Sequence, residues 1–220
     1  MPLISWHDCD IDAPEMAILG SPTAWLNDRV LQFALEWMRC GSDQASRVAV
    51  LEPAQVSFLV HQCDEEDYAD FRAGAGVDGK EMVLLLVCND ADLTVGGGSH
   101  WSLLVYRTAG PSFEHYDSAG TSNAAAAGVR AAKLWRVLGR PAASCPPVQA
   151  RTTPQQTNGH DCGLHALGSA EAVLRGSLPA SGAPVAVARH ELFGILSDLI
   201  AGVPEPAVRE RAQAAATPAA

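Results

Sequence analysis

Seven consecutive apolar residues, Met82 to Cys88, form the longest strongly apolar run in the chain. The run is far too short to span a membrane and has the length of a strand buried on both faces. Upstream of it, Asn27 caps a helix whose apolar positions Val30, Phe33, Ala34, Trp37 and Met38 recur at helical spacing. Val48 to Leu51 is a short strand, Pro53 opens a helix through about His61, and Asp64 to Arg72 adds a turn or two before a loop from Gly74 to Gly79. Residues 101–106 are apolar and aromatic and residues 113–117 alternate, with Thr108-Ala109-Gly110-Pro111 between them, the pattern of a β-hairpin. An alanine-rich helix from about Asn123 to Leu138 follows, then Pro141, Pro146 and Pro147 break the chain before a short strand around Val148. Leu164, Leu167, Ala170 and Leu174 repeat as a helix, and a further helix is predicted from about Val187 to Ala201. An Asp- and Gly-rich loop is expected after Met82 to Cys88, and a Gly/Pro/Ser loop after the Leu164 helix. Residues 1–202 read as a single domain, and 203–220 as an Ala/Pro-rich tail, helical in part or disordered.

Composition fits that outline. With 220 residues, 48% hydrophobic and 18% charged, the chain can bury one sizeable core. An excess of 25 acidic over 15 basic residues gives a net charge of −10, with no basic stripe to hold DNA or RNA. Such a charge reads as a solvated surface or as complementarity to a basic partner. Six cysteines show no C-x-x-C spacing, and Asp8, Asp10, Asp12 and Glu15 exclude a signal h-region near the N-terminus. Reduced thiols in the cytosol or nucleus, and no membrane association, are the expectation.

Chemistry concentrates in Gln156-Thr157-Asn158-Gly159-His160-Asp161-Cys162-Gly163. Cys162 falls in or just before the first turn of the Leu164 helix, where unpaired backbone N–H groups and the helix dipole favour the nucleophilic thiolate. Asn158 and Gly159 supply a turn that lets the backbone approach a substrate.

A second cluster, Gly96 to Tyr106 followed by Phe113 to Ser118, contributes a base and its orienter. If facing residues of the hairpin sum to 217, His100 lies directly across from Asp117; a sum of 219 makes them diagonal neighbours on one face; a sum of 218 separates them. A carboxylate on one ring nitrogen leaves the other free to take a thiol proton. Cys162, His100 and Asp117 then form nucleophile, base and orienter. The oxyanion of acyl transfer needs preorganised donors, and Gln156, six residues before Cys162, offers its amide together with the Cys162 backbone N–H; Gln155 is the rival. His115 shares the Asp117 face but, two residues away on the same strand, reads as a packed side chain rather than a base. His160, Cys162 and His165, or His7 with Cys9, lack the tight paired spacings of zinc sites, and a metal there would occupy the thiol the triad needs.

His100-Trp101, Asp117 within Tyr116-Asp117-Ser118, and Gln156 ahead of Asp161-Cys162-Gly163, together with Trp25-Leu26-Asn27-Asp28 and the helix behind it, resemble the ubiquitin-like-modifier proteases, the SUMO proteases and deneddylases, over about residues 20–175. The resemblance implies an α+β papain-like cysteine protease fold, with a central mostly antiparallel sheet flanked by helices and Cys162 across a cleft from the strands carrying His100 and Asp117. It implies Cys162 as nucleophile, His100 as base and acid, Asp117 as orienter and Gln156 as oxyanion donor. Trp25 and Trp101 would roof a tunnel for a Gly-Gly tail, with Asp28 placed to pair an arginine just upstream of it. A thioester intermediate would be hydrolysed without metal or organic cofactor.

The Gly-Gly-Gly-Ser-His-Trp-Ser-Leu-Leu-Val-Tyr run looks most like the deneddylase branch, which matures or removes the modifier attached to cullins. The resulting expectation is a monomeric isopeptidase acting on that modifier and its conjugates. Three readings stand beside it: a SUMO-specific protease, a module that binds a modifier tail without turning it over, and an acyl transfer such as acetylation on the same triad. The four intact site residues argue against the binding module, and the paired tryptophans favour a diglycine substrate.

Overall fold

A computed structural model describes residues 1–89, 98–177 and 187–216. Most of the Asp- and Gly-rich loop expected after residue 88, with Gly96 and Gly97 of the glycine run, lies outside these residues, as does most of the Gly/Pro/Ser loop after 177.

In chain order the elements are β1 (Ile4–Trp6), β2 (Cys9–Ile11), α1 (Ala13–Gly20), α2 (Asp28–Cys40), β3 (Val48–Leu51), α3 (Pro53–His61), α4 (Tyr68–Gly74), β4 (Met82–Cys88), β5 (Trp101–Arg107), β6 (Ser112–Tyr116), α5 (Ala124–Val137), β7 (Val148–Arg151), α6 (Cys162–Leu174), α7 (Arg189–Ile200) and α8 (Glu205–Ala216). Strands β3 to β7 form one sheet in sequence order, while β1 and β2 make a separate hairpin.

The central sheet is more evenly mixed than expected. β4–β5 and β5–β6 are antiparallel, but β3–β4 and β6–β7 are parallel. The cause lies in the connections. α3 and α4 separate β3 from β4, and α5 separates β6 from β7, so each edge pair is joined by a helical crossover, which returns the chain in the same direction. The antiparallel strands β5 and β6 are joined by the short turn between Arg107 and Ser112.

Alternation along the strands feeds two cores. Val48, Leu84, Leu86, Leu103, Val105 and Tyr116 face α2, α6 and α7. Leu51, Val83, Leu85, Leu104, Tyr106 and Phe113 face α3 and α5, where Trp135 packs edge-on to Tyr106 and Phe113. Because both faces of β4 are covered, all seven of its residues are buried, which explains its unbroken apolar run.

The N-terminal hairpin and α1 were not foreseen. Trp6 packs on Phe33 and Trp37 of α2 at ring separations of 5.3 and 5.6 Å. The tail beyond residue 202 takes the helical one of its two readings and is also packed onto the domain. In α8, Val208 is buried, the Arg209 guanidinium sits 3.8 Å over the Trp37 ring, and Glu205 accepts the Trp6 indole N–H at 3.1 Å. The two chain ends therefore close on one another over α2. Among the described residues no helix is long and apolar enough to cross a membrane.

Candidate active site

The β5–β6 hairpin pairs Leu103 with Tyr116 and Arg107 with Ser112, so facing residues sum to 219. Of the two registers that put His100 and Asp117 on one face, the diagonal one is realised. His100 immediately precedes β5 and Asp117 immediately follows β6, and His100 Nε2 lies 2.6 Å from Asp117 Oδ1. Both side chains are buried, and the His100 ring also hydrogen-bonds the Cys162 side chain.

Cys162 is the first residue of α6, which lies against β5 and brings the thiol across to the strand ends. The thiol is buried, which pushes its pKa up; hydrogen bonds from His100 and from the Trp101 and Gly163 backbone outweigh that, leaving it below the ordinary thiol range. The His100 imidazole moves the opposite way. Its hydrogen bond to Asp117, then that to Cys162, overcome the cost of burial and raise it to about 9. Burial also works against Asp117, but the His100 ring and the backbone N–H groups of Asn123 and Ala119 hold its carboxyl below the usual range. The N–H groups lie 2.8 Å from Oδ2 and 2.9 Å from Oδ1. These directions favour the thiolate, the imidazolium and the carboxylate at the three positions.

Gly163 is set by packing. A Cβ there would come within 3.2 Å of Leu26 and Leu31, so glycine lets the start of α6 press against the segment before α2. That segment is anchored in turn: Asn27 caps α2 by accepting from the Val30 N–H at 3.1 Å, and its amide donates to the buried Glu15 at 2.9 Å. The Leu26 carbonyl accepts the Trp101 indole N–H at 3.2 Å. Trp25, 51% exposed, thus stands one residue from the group that orients Trp101. Asp28 is exposed in the first turn of α2, where its carboxylate accepts the Arg29 N–H at 3.2 Å.

The two glutamines separate cleanly. Gln155 is engaged at both ends, its Oε1 accepting from Gly120 N at 2.9 Å and its Nε2 donating to Asp117 O at 3.0 Å and Thr153 O at 3.1 Å. Gln156 has its Oε1 held by the Ser118 hydroxyl at 2.8 Å, while its Nε2 donates to the Asn158 carbonyl at 2.7 Å in an exposed loop. Of the two amides, only that of Gln156 is free of the hairpin backbone.

The turn before Cys162 is built by Asn158 rather than by glycine freedom. Asn158 Oδ1 accepts the His160 and Asp161 N–H groups, both at 3.0 Å, and its Nδ2 donates to Asp161 Oδ2 at 2.8 Å. Gly159 does not take a left-handed conformation, and a Cβ there would meet nothing within 4 Å. Arg189 of α7 ties this loop to α1, reaching Asp161 Oδ1 at 3.4 Å and Ile18 O at 3.1 Å.

Other candidates fall elsewhere. His115 is buried and shares a 2.8 Å hydrogen bond with the Ser102 hydroxyl, and burial lowers its pKa. Among the described residues, the grouping with metal-ligand spacing is His7, Glu36 and Cys40 rather than His160, Cys162 and His165 or His7 and Cys9, and Glu36 is already clasped by Arg39. A cleft of about 310 Å³ between the β1–β2 turn, α2 and β3 is lined by none of the seven predicted site residues. Sequence reading missed Asn89, whose side-chain carbonyl accepts the Ser99 and His100 N–H groups at 2.6 and 3.1 Å. It also missed Asn123 as anything more than a helix start.

The profile described as the Ulp1 protease family, C-terminal catalytic domain, matches residues 24–181. Human sentrin-specific protease 8 is 32% identical over 175 residues, covering 79% of this chain and 81% of that protein. The NEDD8-specific protease 1 of Arabidopsis thaliana is 30% identical over 173 residues, covering 78% and 74%. In fold, the C-terminal Ulp1 protease domain solved in complex with Smt3, the yeast ortholog of SUMO, matches with a TM-score of 0.68 at 14% identity, covering 91% of this chain and 89% of that one. The chain therefore belongs to the Ulp1 protease family and is a cysteine-type peptidase.

Proposed function

We propose that this peptidase is a deneddylase, cleaving after the C-terminal Gly-Gly of the cullin-attached modifier, both in its precursor and in its conjugates. One observation carries the mechanism: His100 Nε2 lies 2.6 Å from Asp117 Oδ1, and the same ring interacts with Cys162 at the start of α6. The substrate reading is supported by relatives named for sentrin and NEDD8.

In this reading the Cys162 thiolate attacks the carbonyl carbon of the terminal glycine, and the electron pair of the C=O moves onto oxygen. The Cys162 backbone N–H and Gln156 Nε2 receive that oxyanion; the amide turns from its bond to Asn158 O. Collapse breaks the C–N bond as the His100 imidazolium protonates the leaving amine, giving a thioester. Neutral His100 then takes one proton from water, which attacks the thioester and releases the glycine carboxylic acid and the Cys162 thiolate, restoring the imidazolium; the acid loses its remaining proton to solvent. Asp117 holds the ring throughout. Trp25 and Trp101 cover the diglycine, whose missing side chains leave room for indoles, and Asp28 pairs a cation upstream of it.

The protein acts as a monomer in the cytosol or nucleus. Its six cysteines are reduced thiols, and its exposed large apolar side chains are scattered over the N-terminus, Trp25, α3, α5 and α7.

Cleavage of NEDD8-modified cullin and of a C-terminally extended NEDD8 precursor tests the proposal, with SUMO and ubiquitin fusions as comparisons. Release of NEDD8 from both substrates is expected. Release of SUMO or ubiquitin in its place would overturn the substrate.

A further inference from the structure

Asn123 stands at the N-terminus of α5, where an asparagine ordinarily turns its carbonyl oxygen onto the first free N–H groups of the helix. Here it makes no side-chain cap. The residue is completely buried, and its side chain points away from the helix into the strand ends. The two N–H groups of Nδ2 are shared among three acceptors, Val87 O at 2.9 Å, Ser102 Oγ at 3.0 Å and His100 O at 3.2 Å. Its backbone N–H donates to Asp117 Oδ2 at 2.8 Å. Its own Oδ1 has no hydrogen-bond partner. An asparagine that forgoes a cap and buries an unsatisfied oxygen is poorly explained by helix stability.

Its placement supplies another explanation. The last ladder pair of the hairpin is Leu103 with Tyr116, so His100 and Asp117 both lie beyond the end of β5–β6 pairing. Asn123 bridges that gap, holding the main chain of His100 with one end and the carboxylate of Asp117 with the other. We infer that Asn123 is the positioning residue of the His100–Asp117 pair. It locks the His100 carbonyl to the end of β4 and the Asp117 carboxylate to the start of α5. It touches neither substrate nor reacting atoms. This inference rests on the proposed roles of Cys162, His100 and Asp117.

The same amide reaches a second histidine through Ser102, whose Oγ lies 3.0 Å from Asn123 Nδ2 and 2.8 Å from His115 Nε2. The titratable groups acting on His100 are Asp117 and Cys162, and burial lowers the pKa of His115 behind them.

Two measurements on Asn123→Ala, Asn123→Asp and Ser102→Ala test the inference. One is kcat and KM on NEDD8 carrying a C-terminal fluorogenic amide; the other is the pH dependence of Cys162 alkylation by iodoacetamide. Ala127→Gly is the control, since it weakens α5 without touching the network. For the Asn123 variants, kcat is expected to fall about 10- to 100-fold with KM within about twofold. The acid limb of alkylation should move to higher pH, because a misaligned His100 holds its proton less well and stabilises the thiolate less. Ser102→Ala removes one anchor of the Asn123 amide and should move the limb the same way by less, and it decides the matter if the Asn123 variants do not fold. Wild-type kcat and alkylation in the folded variants, or changes no larger than those of Ala127→Gly at matched thermal stability, would overturn the inference. If wild-type Cys162 alkylates like an ordinary thiol, the proposed triad itself fails, a result distinct from failure of the Asn123 role.

Discussion

His100 and Asp117 meet at 2.6 Å although neither belongs to a strand and the hairpin register sets them diagonally. A diagonal pair is slightly too far apart for short side chains, and a carboxylate reaching an imidazole spans it. Asp117→Asn retains the shape but removes the charge that favours the imidazolium. Its kcat on a Gly-Gly substrate should fall about 10²- to 10⁴-fold while the fold persists, measured by steady-state kinetics alongside circular dichroism.

Charge on this pair should also appear in stability. Asp117 has a depressed pKa, so its contribution is present above the unfolded value of 3.8 and is lost as pH falls through the folded one. His100 is raised, so its contribution is complete below the unfolded value of 6.5 and disappears as pH rises through about 9. The Tm difference between wild type and Asp117→Asn should therefore be largest from about pH 4 to 6.5 and shrink on either side. A difference independent of pH would show that the pair does not titrate as described.

Gln155 and Gln156 should separate by phenotype. Gln156→Ala removes the proposed oxyanion donor and should lower kcat about 10²- to 10³-fold with little loss of Tm. Gln155→Ala breaks bonds to Gly120 N, Asp117 O and Thr153 O, so thermal unfolding should register it more strongly than the Gln156 change. Exchange of these two phenotypes would reverse the assignment.

Trp25 is half exposed. Trp25→Ala should raise KM for a modifier substrate and leave iodoacetamide alkylation of Cys162 unchanged, because the small reagent needs no indole lid. Slower alkylation would mean that Trp25 supports the triad rather than the substrate.

Removal of α8 should be costly. Val208→Asp places a charge in a buried position of the core that also holds Trp37, and a loss of several degrees in Tm is expected, checked by thermal melting.

Much of this site was legible because its determinants are local. The apolar run of β4, the turn between β5 and β6, and the helical repeat after Cys162 each declare themselves within a few residues, and the parity of the hairpin was enough to place His100 and Asp117 on one face. Register itself was open between two values, since both keep the same side chains in the core. The parallel pairing of β3 and β7 was hidden, because a strand's own pattern does not record its neighbour's direction. Asn89 and Asn123 were equally hidden. Their partners lie 10 to 36 residues away, and an asparagine beside a loop or before a helix looks like ordinary turn chemistry. The missed N-terminal elements did carry a signal: Asp12, Pro14 and Glu15 form a helix start whose Glu15 side chain accepts the Asp12 N–H at 3.0 Å. The helix of the tail was one of its two readings, but its docking was hidden, because one buried valine and two side chains stacked or bonded to tryptophans suffice to dock an otherwise polar helix.

The account is tested most directly by labelling with modifiers that carry an electrophile in place of the terminal glycine carboxylate, using NEDD8, SUMO and ubiquitin in parallel on wild type and Cys162→Ala. A covalent adduct with NEDD8 alone, absent from Cys162→Ala, is predicted. An adduct with SUMO or ubiquitin but not NEDD8, or one that survives loss of Cys162, would contradict the account.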